Sequence, residues 1–132
     1  MHPHRALSRP EKARLRHLVE AIERETGAEI AALLVPHVDD VEGFATAYFN
    51  HLGVGKPGHD NGILVLVILD RRLVRIEVGR GLEAVVTPEA ASKVIADVMA
   101  PYLRGGRYGE GVLRGVEALG HLVRAAHAAP LP

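Results

Sequence analysis

Apolar residues recur at the spacing of one helix face in four segments of the chain, and this spacing predicts four helices. These stripes lie at residues 15–22, 41–52, 91–98 and 112–123. The first helix has signals for both ends, a capping-box pattern from Ser8 to Glu11 at its start and Gly27 as its stop. Pro101 and the glycine-rich segment 104–111 predict a break before the last helix.

Three further segments carry strand patterns. Residues 30–38 form a short apolar run, in which Pro36 predicts an edge position or the end of the strand. Residues 63–69 are apolar throughout, which predicts a central strand covered on both faces. From residue 73 the pattern alternates strictly, with apolar residues at 74, 76 and 78 on one side and Arg75 and Glu77 on the other. The polar break 70–72 between the last two strands predicts a hairpin.

The resulting order, α-β-α-β-β-α-α, predicts an α/β fold: a three-layer α/β/α sandwich with a small mixed sheet. A chain of 132 residues is about one domain, and it contains no internal repeat or linker. We therefore expect a single domain over residues 1–132, with a core over about 8–125 and short flexible tails.

Composition narrows the function classes. The 16 basic and 16 acidic residues cancel, which argues against a dedicated nucleic-acid binder. The sequence has no cysteine, so disulfides, thiolate nucleophiles and cysteine-based metal sites are excluded. The longest apolar run, 63–69, is too short for a membrane segment, and the first residues do not resemble a signal peptide. We therefore expect a cytoplasmic protein.

Charged residues are predicted to gather at two opposite edges of the sheet. If the first two strands are parallel, their carboxyl ends share one edge, with polar residues Asp39, Asp40, Asp70, Arg71 and Arg72. The hairpin then brings residues 79–83 beside residues 60–61 at the opposite edge. The rule that ligands bind at the carboxyl ends of strands in open α/β sheets favours the first edge.

The second edge offers the ligands that calcium and magnesium require. Asp60, Asn61 and Glu83 supply hard oxygen atoms, with His59 and Asp97 as further candidate ligands. Three glycines permit close backbone approach, and they are Gly62, Gly79 and Gly81. An ordinary turn followed by an ordinary strand exit would account for the same residues.

Two arginines near this edge are candidate phosphate contacts. Arg75 and Arg80 carry guanidinium groups, which match phosphate geometry. The alternative for Arg75 is an ion pair with Glu77 or with a carboxylate of a helix. The pattern contains no Gly-x-Ser-x-Gly elbow and no complete phosphate-binding loop, so any hydrolase here would have to be metal-assisted. Most of the eight histidines are interpreted as surface residues.

Residues 60–64, 75–79 and 81–83, which read DNGIL, RIEVG and GLE, together resemble the signature of the TPM domain family. That family includes thylakoid-lumen acid phosphatases, photosystem II repair proteins and many bacterial proteins. The resemblance extends from about Ser8 to about Val123. It implies an α/β/α sandwich, binding of a calcium- or magnesium-class ion and, in some members, phosphatase activity. Many members carry a signal peptide and a membrane segment, neither of which is recognisable in this sequence.

The resemblance favours the second edge, and two function hypotheses follow. In the first, the domain binds Ca²⁺ or Mg²⁺ at Asp60 and Glu83, with weak phosphatase activity as an extension. In the second, it is a non-enzymatic interaction module, whose edge recognises a protein partner and whose ion is structural or absent. A deep, preformed pocket would favour the enzyme, and a shallow acidic surface would favour the module.

Overall fold

A computed structural model describes residues 7–52 and 60–128 of the chain and confirms the α/β fold predicted from the sequence. The helices are α1 (Arg9–Thr26), α2 (Val41–Leu52), α3 (Pro88–Lys93), α4 (Ala100–Arg104) and α5 (Tyr108–His127). The strands are β1 (Glu29–Val35), β2 (Gly62–Ile68) and β3 (Leu73–Val78). A 3₁₀ turn (Arg80–Leu82) follows β3, and a π-helical turn (Val94–Met99) joins α3 to α4.

The sheet is mixed, with β2 in the centre. β1 runs parallel to β2, so that Ile30 lies beside Ile63. β3 returns antiparallel to β2, so that Val78 also lies beside Ile63. The first strand ends at Val35, directly before Pro36, and lies at an edge of the sheet. Pro36 predicted either an edge position or the end of the strand, and both are found.

Two hydrophobic cores lie on opposite faces of β2, all of whose residues are buried. Ile63, Val65 and Val67 belong to the core formed with α1, α5 and the π turn. The alternate residues Leu64, Leu66 and Ile68 belong to the smaller core under α2. The layers are therefore helix, sheet and helix, and the continuous apolar run of β2 is explained by burial on both faces.

Local signals fix the ends of α1. The Ser8 hydroxyl accepts a hydrogen bond from the Glu11 amide at 3.3 Å, and the Glu11 carboxylate accepts one from the Ser8 amide at 2.9 Å. This reciprocal pair is the predicted capping box. At the other end, Gly27 adopts a left-handed φ of 81°, and its N–H donates to the carbonyl of Glu23.

The predicted break before the last helix is present at residues 105–107, within the glycine-rich segment, but its placement at Pro101 is wrong. The helix that begins at Pro88 continues to Arg104, because the π turn ends at Met99 and places Pro101 in the first turn of α4. The bonding within this continuous helix widens before the proline, because the Ala100 N–H donates to the Ile95 carbonyl five residues back, and Pro101 itself has no N–H to donate. The π turn also changes the buried stripe, which passes from Val94 to Met99 and then to Leu103.

Among the described residues, no helix combines the length and the apolar composition that crossing a bilayer requires.

Candidate functional site

The edge of the sheet at the start of β2 is shaped by backbone contacts around Asp60. This residue has a left-handed φ of 51°, a conformation that aspartate and asparagine adopt more readily than most residues. The Asp60 carbonyl accepts a hydrogen bond from the Gly81 N–H at 3.0 Å. The Gly79 N–H donates to the carbonyl of Gly62 at 2.8 Å. The segment before β2 and the segment after β3 are thereby held side by side, as the hairpin predicted.

Gly79 is required by this close approach. A Cβ atom on Gly79 would collide with the carbonyl oxygen of Asp60 and would lie 2.8 Å from its carbonyl carbon. Both atoms belong to the backbone, so no side-chain rotation relieves the contact. The predicted role of Gly79 as a residue that permits close backbone approach therefore has a direct structural basis.

A cavity of about 370 Å³ lies at this edge between α2, β3 and the 3₁₀ turn. Its polar lining residues are Thr46, Asn50, Asp60, Glu77, Arg80 and Glu83. Three carboxylates therefore line one cavity. Asp60, Arg80 and Glu83 are exposed to solvent, so the cavity is an open depression of the surface rather than an enclosed pocket.

The structure places the other predicted ligands elsewhere. The Asn61 side-chain amide donates to the Gly27 carbonyl, and the Asn61 carbonyl accepts from the Glu29 N–H at 2.9 Å. Asn61 thus joins the end of α1 to the start of β1 and does not line the cavity. Asp97 is exposed on the π turn and does not line it either. The predicted ligand His59 lies outside the described residues.

The structure does not bring the predicted residues together as a complete metal site. Within the described part of the chain, no group of three histidine, aspartate or glutamate side chains is placed to hold a metal ion. Asp60 and Glu83 share the cavity but do not belong to such a group. An ion bound here would have to complete its coordination from other donors, such as water.

The two predicted phosphate contacts differ in their surroundings. Arg75 donates to Glu77 at 2.9 Å and to Glu42, on α2, at 3.0 Å. The hydrogen bond with Glu77, followed by the charges of both carboxylates, raises the pKa of Arg75. These are the strand and helix carboxylates that the alternative interpretation of Arg75 anticipated. Arg80 lines the cavity itself and is exposed.

At the opposite edge, Asp39 and Asp70 lie together as predicted and form a cluster with His37, a histidine that the sequence interpretation did not place there. The His37 Nδ1 lies 2.5 Å from an Asp70 carboxylate oxygen, and its Nε2 lies 2.8 Å from an Asp39 carboxylate oxygen. His37 follows β1 and Asp70 follows β2, and the parallel pairing of these strands brings them together. A histidine at the end of one predicted parallel strand and an aspartate at the end of its neighbour were the available signal.

The remaining charges of that edge have structural roles. The Asp40 carboxylate accepts a hydrogen bond from the Gly43 amide at 3.1 Å and so caps the start of α2. The Arg71 guanidinium lies 3.4 Å from the carbonyl of Asp39. The edge at the carboxyl ends of β1 and β2 therefore carries a network that includes His37, Asp39 and Asp70. The Asp40 carboxylate at the same edge caps α2.

We predict that the His37 cluster stabilises the fold at mildly acidic pH. The hydrogen bonds to Asp39 and then to Asp70 raise the pKa of His37. The unfolded chain releases this proton near the ordinary histidine pKa of about 6.5. The contribution is therefore fully present below that value and is lost as the pH rises through the higher pKa of the folded state. Urea unfolding between pH 5.5 and 8.5 measures the difference, and His37→Gln should remove it.

An NMR titration of the imidazole provides the direct control for this prediction. His37 should titrate at a higher pH in the wild type than in Asp70→Asn, because the substitution removes one carboxylate partner. Equal titration midpoints in the two proteins would contradict the assignment.

Comparison with known proteins places the chain in a family. The model of the TPM domain matches residues 2–122. The N-terminal domain of a protein from P. gingivalis has a similar structure, with a TM-score of 0.84 and 29% sequence identity, over 98% of this chain and 85% of that chain. A protein from the psychrophilic bacterium Bizionia argentinensis has a TM-score of 0.78 and 21% identity, over 92% of this chain and 83% of that chain.

The likeness to the Bizionia argentinensis protein concerns the fold alone, and so does a more distant one. The N-terminal domain of a Corynebacterium glutamicum protein has a TM-score of 0.67 and 12% identity, over 96% of this chain and 80% of that chain. The search of curated proteins found no match. The matched residues 2–122 include both predicted edges and most of the chain. The match confirms the resemblance that residues 60–83 carry. The chain belongs to the TPM domain family.

Proposed function

We propose that this TPM domain binds a divalent cation of the calcium or magnesium class at the cavity that Asp60 and Glu83 line. The observation that supports this most is the presence of three carboxylates around one open cavity. Glu77 is engaged by Arg75 at 2.9 Å, which leaves Asp60 and Glu83 as the carboxylates available to an ion. The Arg80 side chain on the same cavity reduces the negative charge but does not balance all three groups.

The donor set fits an ion that keeps much of its water. Carboxylate oxygens are the ligands that both ions prefer, and magnesium is usually bound through one or two carboxylates with several waters retained. A six- to eight-oxygen calcium cage needs more donors than Asp60 and Glu83 provide. Thr46 and Asn50 line the same cavity and offer a hydroxyl and an amide oxygen. We therefore expect weak binding, in which water completes the coordination.

The exposure of the cavity favours a binding module over an enzyme. Asp60, Arg80 and Glu83 are all exposed, so an ion held by them remains accessible to a ligand or protein that approaches from solvent. Hydrolysis of a phosphate ester requires several positive groups around the transferred phosphoryl. Arg75 is already paired with two carboxylates, which leaves Arg80 as the guanidinium lining this cavity.

An NMR titration with CaCl₂ and then MgCl₂ tests the cation site. Saturable amide shifts should be confined to residues 60–62 and 77–84, and both Asp60→Asn and Glu83→Gln should weaken them by about tenfold or more. Asparagine tolerates the left-handed φ of residue 60, so the first variant should preserve the local backbone. Asp97→Asn removes an exposed carboxylate outside the cavity and serves as the matched control.

Three results would count against the cation site. Shifts centred on Asp39 and Asp70 would assign the ion to the other edge of the sheet. Equal weakening in the Asp97→Asn control would show a general charge effect. The absence of saturable shifts at millimolar ion would contradict cation binding altogether.

Phosphatase activity is the second candidate, because Arg80 and two available carboxylates share the cavity. We expect p-nitrophenyl phosphate turnover with Mg²⁺ to be equal in the wild type and in an Asp60→Asn, Glu83→Gln double variant. Turnover that requires the metal and is lost in the double variant would reverse this assignment in favour of a metal-assisted phosphatase.

A further inference from the structure

The strand β3 is an edge strand of the described sheet. It pairs with β2, and within the described residues the sheet ends there. The register pairs Ile63 with Val78, its continuation places Gly62 opposite Gly79, and the Gly79 N–H donates to the Gly62 carbonyl. Because antiparallel strands bond through alternate residues, residues 73, 75 and 77 direct their backbone groups toward β2. The N–H and C=O groups of Val74, Ile76 and Val78 therefore point outward.

The side chains of β3 are complementary to a second copy of the same strand. An antiparallel pairing centred on Ile76 places Ile76 opposite Ile76 and Val74 opposite Val78 of the second copy. In the same register, Arg75 lies directly opposite Glu77 of the second copy, and the twofold axis repeats this pair. Each interchain pair adds to the ion pairs that Arg75 makes with Glu77 and Glu42 of its own chain. Opposite charges in this position stabilise a strand pair.

The charges of Arg75 and Glu77 favour the register centred on Ile76 over the registers centred on the residue before or after it. A shift that centres the pairing on residue 75 places Arg75 opposite Arg75, and a shift that centres it on residue 77 places Glu77 opposite Glu77. Like charges directly opposite destabilise a strand pair. All three registers pair outward backbone groups with outward backbone groups, since both copies present them at residues 74, 76 and 78, so the charges are what distinguish the registers.

A further observation supports an occupant on this edge. On the face of β3 that carries Val74, Ile76 and Val78, a groove of about 460 Å³ is lined by Ile76 and Val78 together with Val86, Pro88 and Ala91, and Glu83 also lines it. The apolar side chains Val74 and Ile76 of a second copy would lie beside this groove.

We propose that β3 pairs antiparallel with β3 of a second copy of this chain, centred on Ile76, so that two three-stranded sheets become one continuous sheet. The pairing gives the chain a homodimer interface beside the cation cavity, because Glu77 lines that cavity and Glu83 lines both the cavity and the groove. Edge strands commonly carry charges that block such pairing, but here the order Arg-Ile-Glu makes the charges complementary instead.

Sedimentation velocity over a micromolar to millimolar concentration series tests the pairing. The wild type should pass from monomer to dimer. Arg75→Glu should weaken the dimer by about tenfold or more, because the twofold axis produces two repulsive pairs. Glu77→Arg added to that variant should restore association, since it recreates opposite charges. Arg114→Glu, a reversal of the same size on the exposed face of α5, should leave the dissociation constant unchanged. Circular dichroism confirms that each variant is folded.

A cysteine pair tests the register independently, since the chain has no cysteine of its own. Ile76→Cys should form an interchain disulfide on mild oxidation, because hydrogen-bonded partners have Cα atoms about 5.5 Å apart. Leu73→Cys is the matched control. Leu73 is 37% exposed, so a cysteine there can meet its counterpart in another molecule by random collision. The proposed register, however, places the two residues 73 at opposite ends of the strand pair.

The outcomes separate clearly. Monomers at all concentrations would overturn the proposal, and so would a dimer that is unaffected by Arg75→Glu. More efficient oxidation of Leu73→Cys than of Ile76→Cys would overturn the register. Concentration-dependent protection of the Val74, Ile76 and Val78 amides against hydrogen exchange would support it, because these are the amides that point outward.

Discussion

Replacement of Leu66 by alanine should lower the free energy of unfolding by about 2–5 kcal/mol. Leu66 is fully buried in the middle of β2 and belongs to the core under α2, with Leu64 and Ile68. The substitution removes contacts on that face and leaves a cavity that two neighbouring strands prevent from collapsing. Urea unfolding followed by circular dichroism measures the loss.

Leu73→Ala is the control for this prediction, because it changes the same side chain at the start of β3. Leu73 is 37% exposed, so the loss should stay below about 1 kcal/mol. Both variants should be measured at low protein concentration, so that pairing of β3 between two copies does not contribute to the free energy of unfolding. Equal losses for the two variants would contradict the central position of β2.

Replacement of Gly79 by alanine should lower the free energy of unfolding by about 3 kcal/mol. The added methyl group meets the backbone of Asp60, whose carbonyl also accepts the Gly81 N–H at 3.0 Å. Relief of the contact requires the segment before β2 to move away from the end of β3. The same movement should displace the amide resonances of residues 60–62, so the variant should also weaken cation binding at Asp60.

Gly105→Ala provides the comparison for Gly79→Ala. A Cβ atom on Gly105 would lie 3.6 Å from the Tyr102 carbonyl oxygen, which is an ordinary contact. Its free energy of unfolding should therefore change by less than about 1 kcal/mol. A loss as large as that of Gly79→Ala would show that glycine substitution itself, and not the approach to Asp60, is responsible.

The sequence predicted the parts of the fold that depend on local patterns. The capping box of Ser8 and Glu11, the stop at Gly27 and the buried run of β2 are encoded by neighbouring residues, and each is present in the structure. The alternation along β3 likewise predicted which side chains share a face. Each of these features can be predicted from neighbouring residues alone, without the residues that pack against them.

The candidate site was harder to predict, because its contacts join residues far apart in the chain. Asn61 was selected for its oxygen, but its amide is used by the Gly27 carbonyl, 34 positions away. The His37 cluster depends on Asp70, which is brought near only by the pairing of β1 with β2. Residue types therefore identified both edges, and the three-dimensional register decided which side chains meet there.

The π turn between α3 and α4 has a consequence for how related chains align. Val94 and Met99 are both buried although five positions separate them, whereas an α-helix returns to the same face after three or four. The segment therefore contains one residue more than a regular helix needs. A relative with a single deletion between these two positions would keep both side chains in the core and replace the π turn with α-helix. Alignment gaps of one residue in this segment should accordingly be read as changes of helix type within a conserved core.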